Sequence, residues 1–358
     1  MRFSLFQLPC YRPGFAASWA AFYDDMIEQA ALVDRAGWER IYVSEHHFHY
    51  YGGAVPNPAM MLLALGNATK RIRLAAGISL LPFHHPLKLA EDYAMADQLT
   101  GGRIDFGVGR GYLPHEFGGF HIPPEEQQAR FDEVFEVVRR AWTGEAFAHH
   151  GRFFQFEKLA VLPTPMQKTV PILVAAVRTR ESFEFAGRNG FGLMMNRYSL
   201  TDEQLETGFG WYKAALAAAG HDLAGRPVMV AHMTHIADTT EQAMAEAHVP
   251  LREHMNCFAQ LKNNNVFYTD FTGDDSLYAL PGVPERDARE FMLNRTMVGD
   301  PGRVAEQIRR YAAMGFNEVA FVNRFGALTG AQSRRTLERL ESEVRPRLGG
   351  PSQTMKVA

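Results

Sequence analysis

A (β/α)8 TIM barrel with insertions, built as one domain over residues 1–348, is the fold this sequence predicts. Short β-branched runs alternate with longer amphipathic stretches at a spacing of roughly 30 residues, the pattern of a parallel sheet with crossover helices. Eight such units follow one another, and eight favour a closed barrel over an open doubly wound sheet. The chain is 358 residues long. Barrels of this kind need roughly 250, which leaves room for insertions.

Residues 2–8, with Phe3, Leu5, Phe6 and Leu8, read as the first strand. The first helix covers Ser18–Ala36, is apolar along Ile27, Ala30, Ala31 and Val33, and is ended by Gly37. Strand two is Arg40–Ser44, and Pro56 and Pro58 lead into a helix over Ala59–Thr69. Strand three, Ile72–Leu81, is followed by Pro86 and a helix over Lys88–Leu99 that stops at Gly101-Gly102. Strand four is Arg103–Val108; the long helix Glu125–Trp142 carries Phe131, Val134, Phe135 and Val138 on one face. Strand five is Pro171–Ala176 with helix Arg180–Arg188, and strand six is Phe191–Met195 with helix Thr201–Ala219. Strand seven is Val228–Ile236, its helix starting after the capping run Asp238-Thr239-Thr240. Strand eight is Glu318–Val322, followed by the helix Gly330–Leu348.

Two excursions interrupt the pattern. Residues 143–170, with His149-His150-Gly151-Arg152-Phe153, suggest a small hairpin. Residues 257–297 are polar and irregular, and a loop of that length reads as a lid or a disordered segment. Residues 349–358 read as a frayed, disordered tail.

Hydrophobic residues make up 46% of the chain and charged residues 22%, so a packed core is expected. A net charge of −3 offers no basic excess for nucleic acid. Cys10 and Cys257 lack metal spacing and read as free thiols of a reducing compartment. Met1 to Leu8 reads as too short and too alternating for a signal peptide, and no apolar run approaches the roughly 18 residues of a membrane span. A soluble, cytoplasmic protein is expected.

In such a barrel the active site lies at the carboxyl ends of the strands. Polar residues gather there: Glu45, His46 and His47 after strand two, Ser79 in strand three, Arg110 after four, Arg178 and Thr179 after five, Asn196 and Arg197 after six, His235 near the end of seven, Asn323 and Arg324 after eight. A buried strand ending on a carboxylate and two imidazoles needs a chemical reason. A metal is one reading of Glu45-His46-His47-His49. Adjacent residues of an extended chain point to opposite faces, however, and no helical H-x-x-x-H spacing supports a metal site. That geometry separates His46 from His47 and argues against a single ion held by both. A nucleophilic serine is unsupported, because no G-x-S-x-G elbow is present.

Gly107-Val108-Gly109-Arg110-Gly111-Tyr112 resembles a phosphate loop without matching the dinucleotide fingerprint, since the third glycine is displaced and Tyr112-Leu113-Pro114 does not read as a helix start. Gly109 lets backbone come close and Arg110 can fork onto a phosphate; a tight turn with an exposed arginine fits the same residues. Val177-Arg178-Thr179-Arg180-Glu181-Ser182 is a strand-to-helix turn with Thr179 as helix cap, a second place for an anion or a plain cap.

Taken together, Ser44-Glu45-His46-His47-Phe48, Ala75 to Pro82 with His85-Pro86, Gly102 to Gly111, Ala186-Gly187 with Gly190, and Val298-Gly299-Asp300-Pro301 resemble the bacterial luciferase-like flavin-dependent monooxygenases over nearly the whole chain. The resemblance implies a TIM barrel binding FMN at its strand ends, where reduced FMN and O2 form a C4a-hydroperoxide that oxygenates a small substrate. It implies His46 as catalytic histidine with Glu45 beside it, and Arg110 as the phosphate arginine. A non-proline cis peptide is implied in the Gly77, Ile78, Ser79 backbone. Further FMN contacts are implied at Gly109, Val174, Ala175, Val177, Arg178 and Thr179, although Val177 and Arg178 depart from the family's small hydroxyl residues. No nicotinamide fingerprint is present, so a separate NAD(P)H:flavin reductase is the implied partner, and a homodimer the implied assembly.

Phe6, Phe48, Tyr50, Tyr112, Met195 and His235, with Tyr51, are the expected pocket wall and suggest an apolar or aromatic substrate. Two rivals share the barrel. One is a hydride-transferring oxidoreductase of the deazaflavin F420, which usually carries Gly-Thr-Gly-Glu where Gly109-Arg110-Gly111-Tyr112 stands. The other is a non-catalytic flavin-binding partner subunit, disfavoured by the presence of His46 and Arg110. A metal-dependent barrel hydrolase is more distant.

Overall fold

Eight parallel strands close on themselves in the order Arg2–Gln7, Arg40–Val43, Arg73–Ala76, Ile104–Gly109, Ile172–Ala175, Gly192–Asn196, Val228–Ile236 and Glu318–Val322, the last pairing back to the first. Leu5 lies opposite Ile41 on one side and Phe321 on the other. The structure, a computed structural model, describes every residue except 12, 13, 15, 263–286 and 351–358.

Side chains alternate along each strand, as extended chain requires. Phe3 and Leu5, Ile104, Phe106 and Val108, and Val319 and Phe321 face outward into the main core beneath the helices, with Phe22, Leu62, Tyr93, Val134 and Ile308. Phe6, Tyr42, Met194, Met229 and Ala320 face inward. The amino-terminal end of the barrel is closed by charge. Buried Arg40 donates to Asp105 Oδ2 through Nε and to Glu318 Oε2 through Nη1, each at 2.5 Å. Tyr42 Oη and Ser4 Oγ both donate to Glu318 Oε1 at 2.7 Å. Buried charges persist only when paired in this way, and the plug leaves the carboxyl end as the open face.

The helices begin where the sequence supplies caps. Ser18 Oγ accepts from Ala21 N ahead of Trp19–Arg35, Thr201 and Gln204 form a capping box for Asp202–Ala218, and Asp300 caps Pro301–Met314. Each such cap contributes about 1 kcal/mol. The 143–170 excursion does contain an antiparallel hairpin, Phe147–His150 with Gln155–Leu159.

Three readings need correction. Strand three does not run unbroken over 72–81: it stops at Ala76, and a short second segment, Ser79–Leu80, pairs with the fourth strand. Helix Pro114–Gly119 opens where none was expected, with Pro114 in its first turn, where a missing N–H costs nothing. The 257–297 segment is flanked by regular structure rather than irregular loop: helix Thr240–Lys262 runs into it, and helix Ala288–Arg295 and strand Met297–Gly299 leave it. Residues 263–286, on which the lid expectation falls, lie outside the described residues, as do residues 351–358 of the tail. Among the described residues no helix is long and apolar enough to cross a membrane.

Candidate active site

A cavity of about 550 Å³ opens among the carboxyl ends of the strands, a size typical of small-molecule sites. Phe6, Leu8, Ile78, Leu80, Met194, Met195 and Met229 give it apolar walls, and two polar groupings face into it.

The first grouping follows the fourth and fifth strands. Arg110 Nη2 donates to Thr179 Oγ1 at 3.0 Å and to Ser182 Oγ at 2.9 Å, while Nη1 donates to Gln128 Oε1 at 2.6 Å. Thr179 occupies the cap position of helix Arg180–Arg188, but its hydroxyl makes no cap hydrogen bond; it is turned to Arg110 and Ser182 instead. A guanidinium, two hydroxyls and the free N–H groups of a helix start are a set that recognises an anion, phosphate above all. Val177 and Arg178 also line the cavity here.

The second grouping centres on His46, which is 8% exposed. Its Nδ1 lies 3.0 Å from Glu116 Oε1, and the same oxygen accepts the His47 N–H at 2.9 Å. Nε2 has no hydrogen-bond partner among the described residues, and the ring lines the cavity with Tyr51 and Tyr112. Gly52, at φ +69°, makes room for it: a Cβ there would overlap His46 Cδ2. Burial and the Tyr112 hydroxyl push the Tyr51 phenol well above its usual range, so it stays a neutral donor.

The expected pairing of Glu45 with His46 is not what the structure contains. Glu45 Oε1 is 2.9 Å from His47 Nε2 and 2.7 Å from His84 Nε2, and Oε2 accepts the Leu80 N–H at 3.1 Å. Burial alone would raise its carboxyl, but His84 and His47 outweigh it and hold the group down to about 2. His84 is raised in turn: burial pulls it down and Glu45 pulls it up further. Glu45 therefore clamps the second strand end to the third, and the carboxylate on His46 is Glu116.

The Gly77–Ile78 peptide is cis, within the backbone stretch that the resemblance singled out. Ile78 packs closely against the fourth strand, and a Cβ at Gly109 would overlap Ile78 Cδ1. Ser79, expected as a cofactor contact, is fully buried, its hydroxyl meets Tyr93 Oη, and it does not line the cavity. Ala175 lines the cavity and Val174 does not.

Of the expected pocket residues, Phe6, Tyr51, Tyr112 and Met195 line the cavity, whereas Phe48, Tyr50 and His235 do not. Strand two ends at Val43, so alternation no longer governs residue 48; Phe48 sits at φ +60° and is 57% exposed, packed against Phe120. His235 lies where strand seven has left strand six and pairs with Met297–Gly299. Its Nε2 bonds Glu246 at 2.8 Å, and Nδ1 faces Thr336. Glu116 was missed, and Ser182, named within the second anion turn, was not singled out as the hydroxyl that meets Arg110. Pro114 followed by an acid in the first turn was the available signal for Glu116.

A closed barrel with an anion-recognising turn and a buried histidine on one cavity has the layout of a barrel enzyme that takes a phosphate-bearing ligand at its strand ends. Residues 1–318 match the family of luciferase-like monooxygenases, so the chain belongs to that family and is an oxidoreductase that incorporates oxygen. It is similar to the oxygenase component of the flavin-dependent trigonelline monooxygenase of Acinetobacter baylyi, 31% identical over 97% of this chain and 95% of that protein. It is also similar to the crystal structure of monooxygenase RslO1 from Streptomyces bottropensis, with a TM-score of 0.84 and 29% identity over 97% of this chain and all of that one. The fold is shared with the oxygenating constituent of 3,6-diketocamphane monooxygenase of Pseudomonas putida, solved with FMN, at a TM-score of 0.78 and 23% identity over 99% of this chain and all of that one.

FMN is the group this family implies, and the residues present suit it. Arg110, Thr179 and Ser182 provide cation and hydroxyl donors for a phosphate. Gly109 keeps the strand edge bare beside Ile78, and the apolar walls suit a planar ring.

Proposed function

We propose that this chain takes reduced FMN from a separate NAD(P)H:flavin reductase and uses O2 to oxygenate a small apolar or aromatic organic molecule. The observation that carries this reading is the junction of Arg110 with Thr179 and Ser182 on the cavity that also holds His46. The relative named as an oxygenase component supports the two-protein arrangement, and the structural neighbour solved with FMN supports the choice of flavin.

Reduced flavin, when bound, supplies two electrons, so that one oxygen atom of O2 enters the product and the other leaves as water. The chain's own residues do the rest. Arg110 with the two hydroxyls would bind the phosphate and fix how deeply the ring enters. His46 would hold or pass a proton at Nε2. Phe6, Tyr51, Met194 and Met195 would exclude water and accept an apolar or aromatic substrate.

Incubation of the purified chain with a flavin reductase, NADH, FMN, isotopically heavy O2 and a panel of such compounds tests this reading. One heavy oxygen per product molecule is expected, with only background NADH oxidation when the reductase is left out. Rapid NADH oxidation by the chain alone, or product without label, would contradict it.

A further inference from the structure

We propose that Glu116 is a positioning residue for His46: it holds the proton of the neutral imidazole on Nδ1 and so leaves Nε2, the atom free to face the cavity, as proton acceptor. This rests on the reading of His46 as the proton-handling group and adds the residue that sets its state.

Three observations converge on it. Glu116 is fully buried, and its Oε1 lies 3.0 Å from His46 Nδ1. The same oxygen accepts the His47 N–H at 2.9 Å, so the carboxylate is fixed to the backbone next to the ring it orients. The ring is confined from the opposite edge by Gly52, where even a Cβ would overlap Cδ2, and it cannot easily turn to exchange its nitrogens. An acceptor-only carboxylate on Nδ1 permits one neutral tautomer, with the proton on Nδ1. The logic is that of the carboxylate in a Ser-His-Asp triad, which holds its imidazole in one tautomer and one orientation. Glu116 sits on helix Pro114–Gly119, which directly follows Arg110 to Leu113. The short stretch 110–116 thus supplies both the anion-binding arginine and the histidine's orienting acid.

The test compares wild type with Glu116→Met, which removes the acceptor, and Glu116→Gln, which keeps an oxygen able to accept both from Nδ1–H and from the His47 N–H. Ring-nitrogen NMR shifts of His46 in flavin-free protein report the tautomer without any turnover. Wild type is expected to show the Nδ1–H tautomer, Glu116→Met a mixture or the Nε2–H form, and Glu116→Gln the wild-type form. With reduced FMN, Glu116→Met should lower kcat by about a hundredfold or more, leave KM and FMN affinity within about twofold, and be largely rescued in Glu116→Gln. Thermal unfolding of each variant checks the fold independently. An Nε2–H tautomer in wild type, or the same tautomer in wild type and Glu116→Met, overturns the proposal. Because the NMR measurement involves no flavin, it stands apart from failure of the flavin reading, which would show as absent FMN binding in wild type.

Discussion

Glu45 and His84 join two strand ends: Glu45 Oε1 lies 2.7 Å from His84 Nε2, and the same oxygen is 2.9 Å from His47 Nε2. The carboxylate is thereby spent on holding the loop of His46 against the third strand, and does not act on His46 itself. The clamp has a pH signature. Glu45 titrates at about 2 in the fold against 4.5 in an unfolded chain. Its contribution is fully present above pH 4.5 and is lost as pH falls through about 2. His84 is raised, so its share is present below 6.5 and is lost as pH rises through its folded value. Glu45→Gln should cost on the order of 3 kcal/mol between these limits, measured by urea unfolding, and the gap from wild type should close in acid.

Gly52 should tolerate no side chain. Its φ of +69° disfavours one, and the Cβ would strike the His46 ring. Gly52→Ala is expected to lose about 1–2 kcal/mol from the backbone term. It should lose most turnover while still binding FMN, as read by flavin fluorescence and product formation.

Gly109→Ala should weaken FMN binding by driving Ile78 into the cavity. The neighbour is the flexible end of a side chain, so the cost in stability stays near 1–3 kcal/mol. The double variant Gly109→Ala with Ile78→Ala should recover affinity relative to Gly109→Ala alone; a flavin titration of the three proteins checks it.

His254 is 2% exposed, and burial pulls it down to about 3. His49 is pulled down to about 4 by burial and by His115 and His46. Both take up a proton on unfolding in acid, so stability should fall as pH drops below 6.5 towards the lowered folded values of about 4 for His49 and about 3 for His254. His254→Leu should flatten that slope in urea unfolding at stepped pH.

The barrel was legible because its signal is repeated: eight strand-helix units, each punctuated by glycine, proline or a cap. Arg110 and the Thr179 turn were legible as strand-end chemistry, although the sequence did not reveal that Thr179 Oγ1 would face Arg110 rather than cap its helix. The partner of His46 was not legible. Glu45 is one residue away in sequence, but the chain leaves extended geometry after Val43, and the acid that reaches Nδ1 comes from a six-residue helix 70 positions on. Phe48 and His235 failed for the same reason, since alternation was carried past the point where the strand, or its barrel pairing, had ended.

The most direct measurement of the account is a pair of titrations, FMN and riboflavin, on wild type and Arg110→Gln. The two ligands share the ring and differ in the phosphate. Wild type should prefer FMN, and Arg110→Gln should weaken FMN by roughly tenfold to a hundredfold while leaving riboflavin unchanged. Equal binding of FMN and riboflavin by wild type, or an equal loss of both in Arg110→Gln, would contradict the placement of a flavin phosphate at Arg110, Thr179 and Ser182.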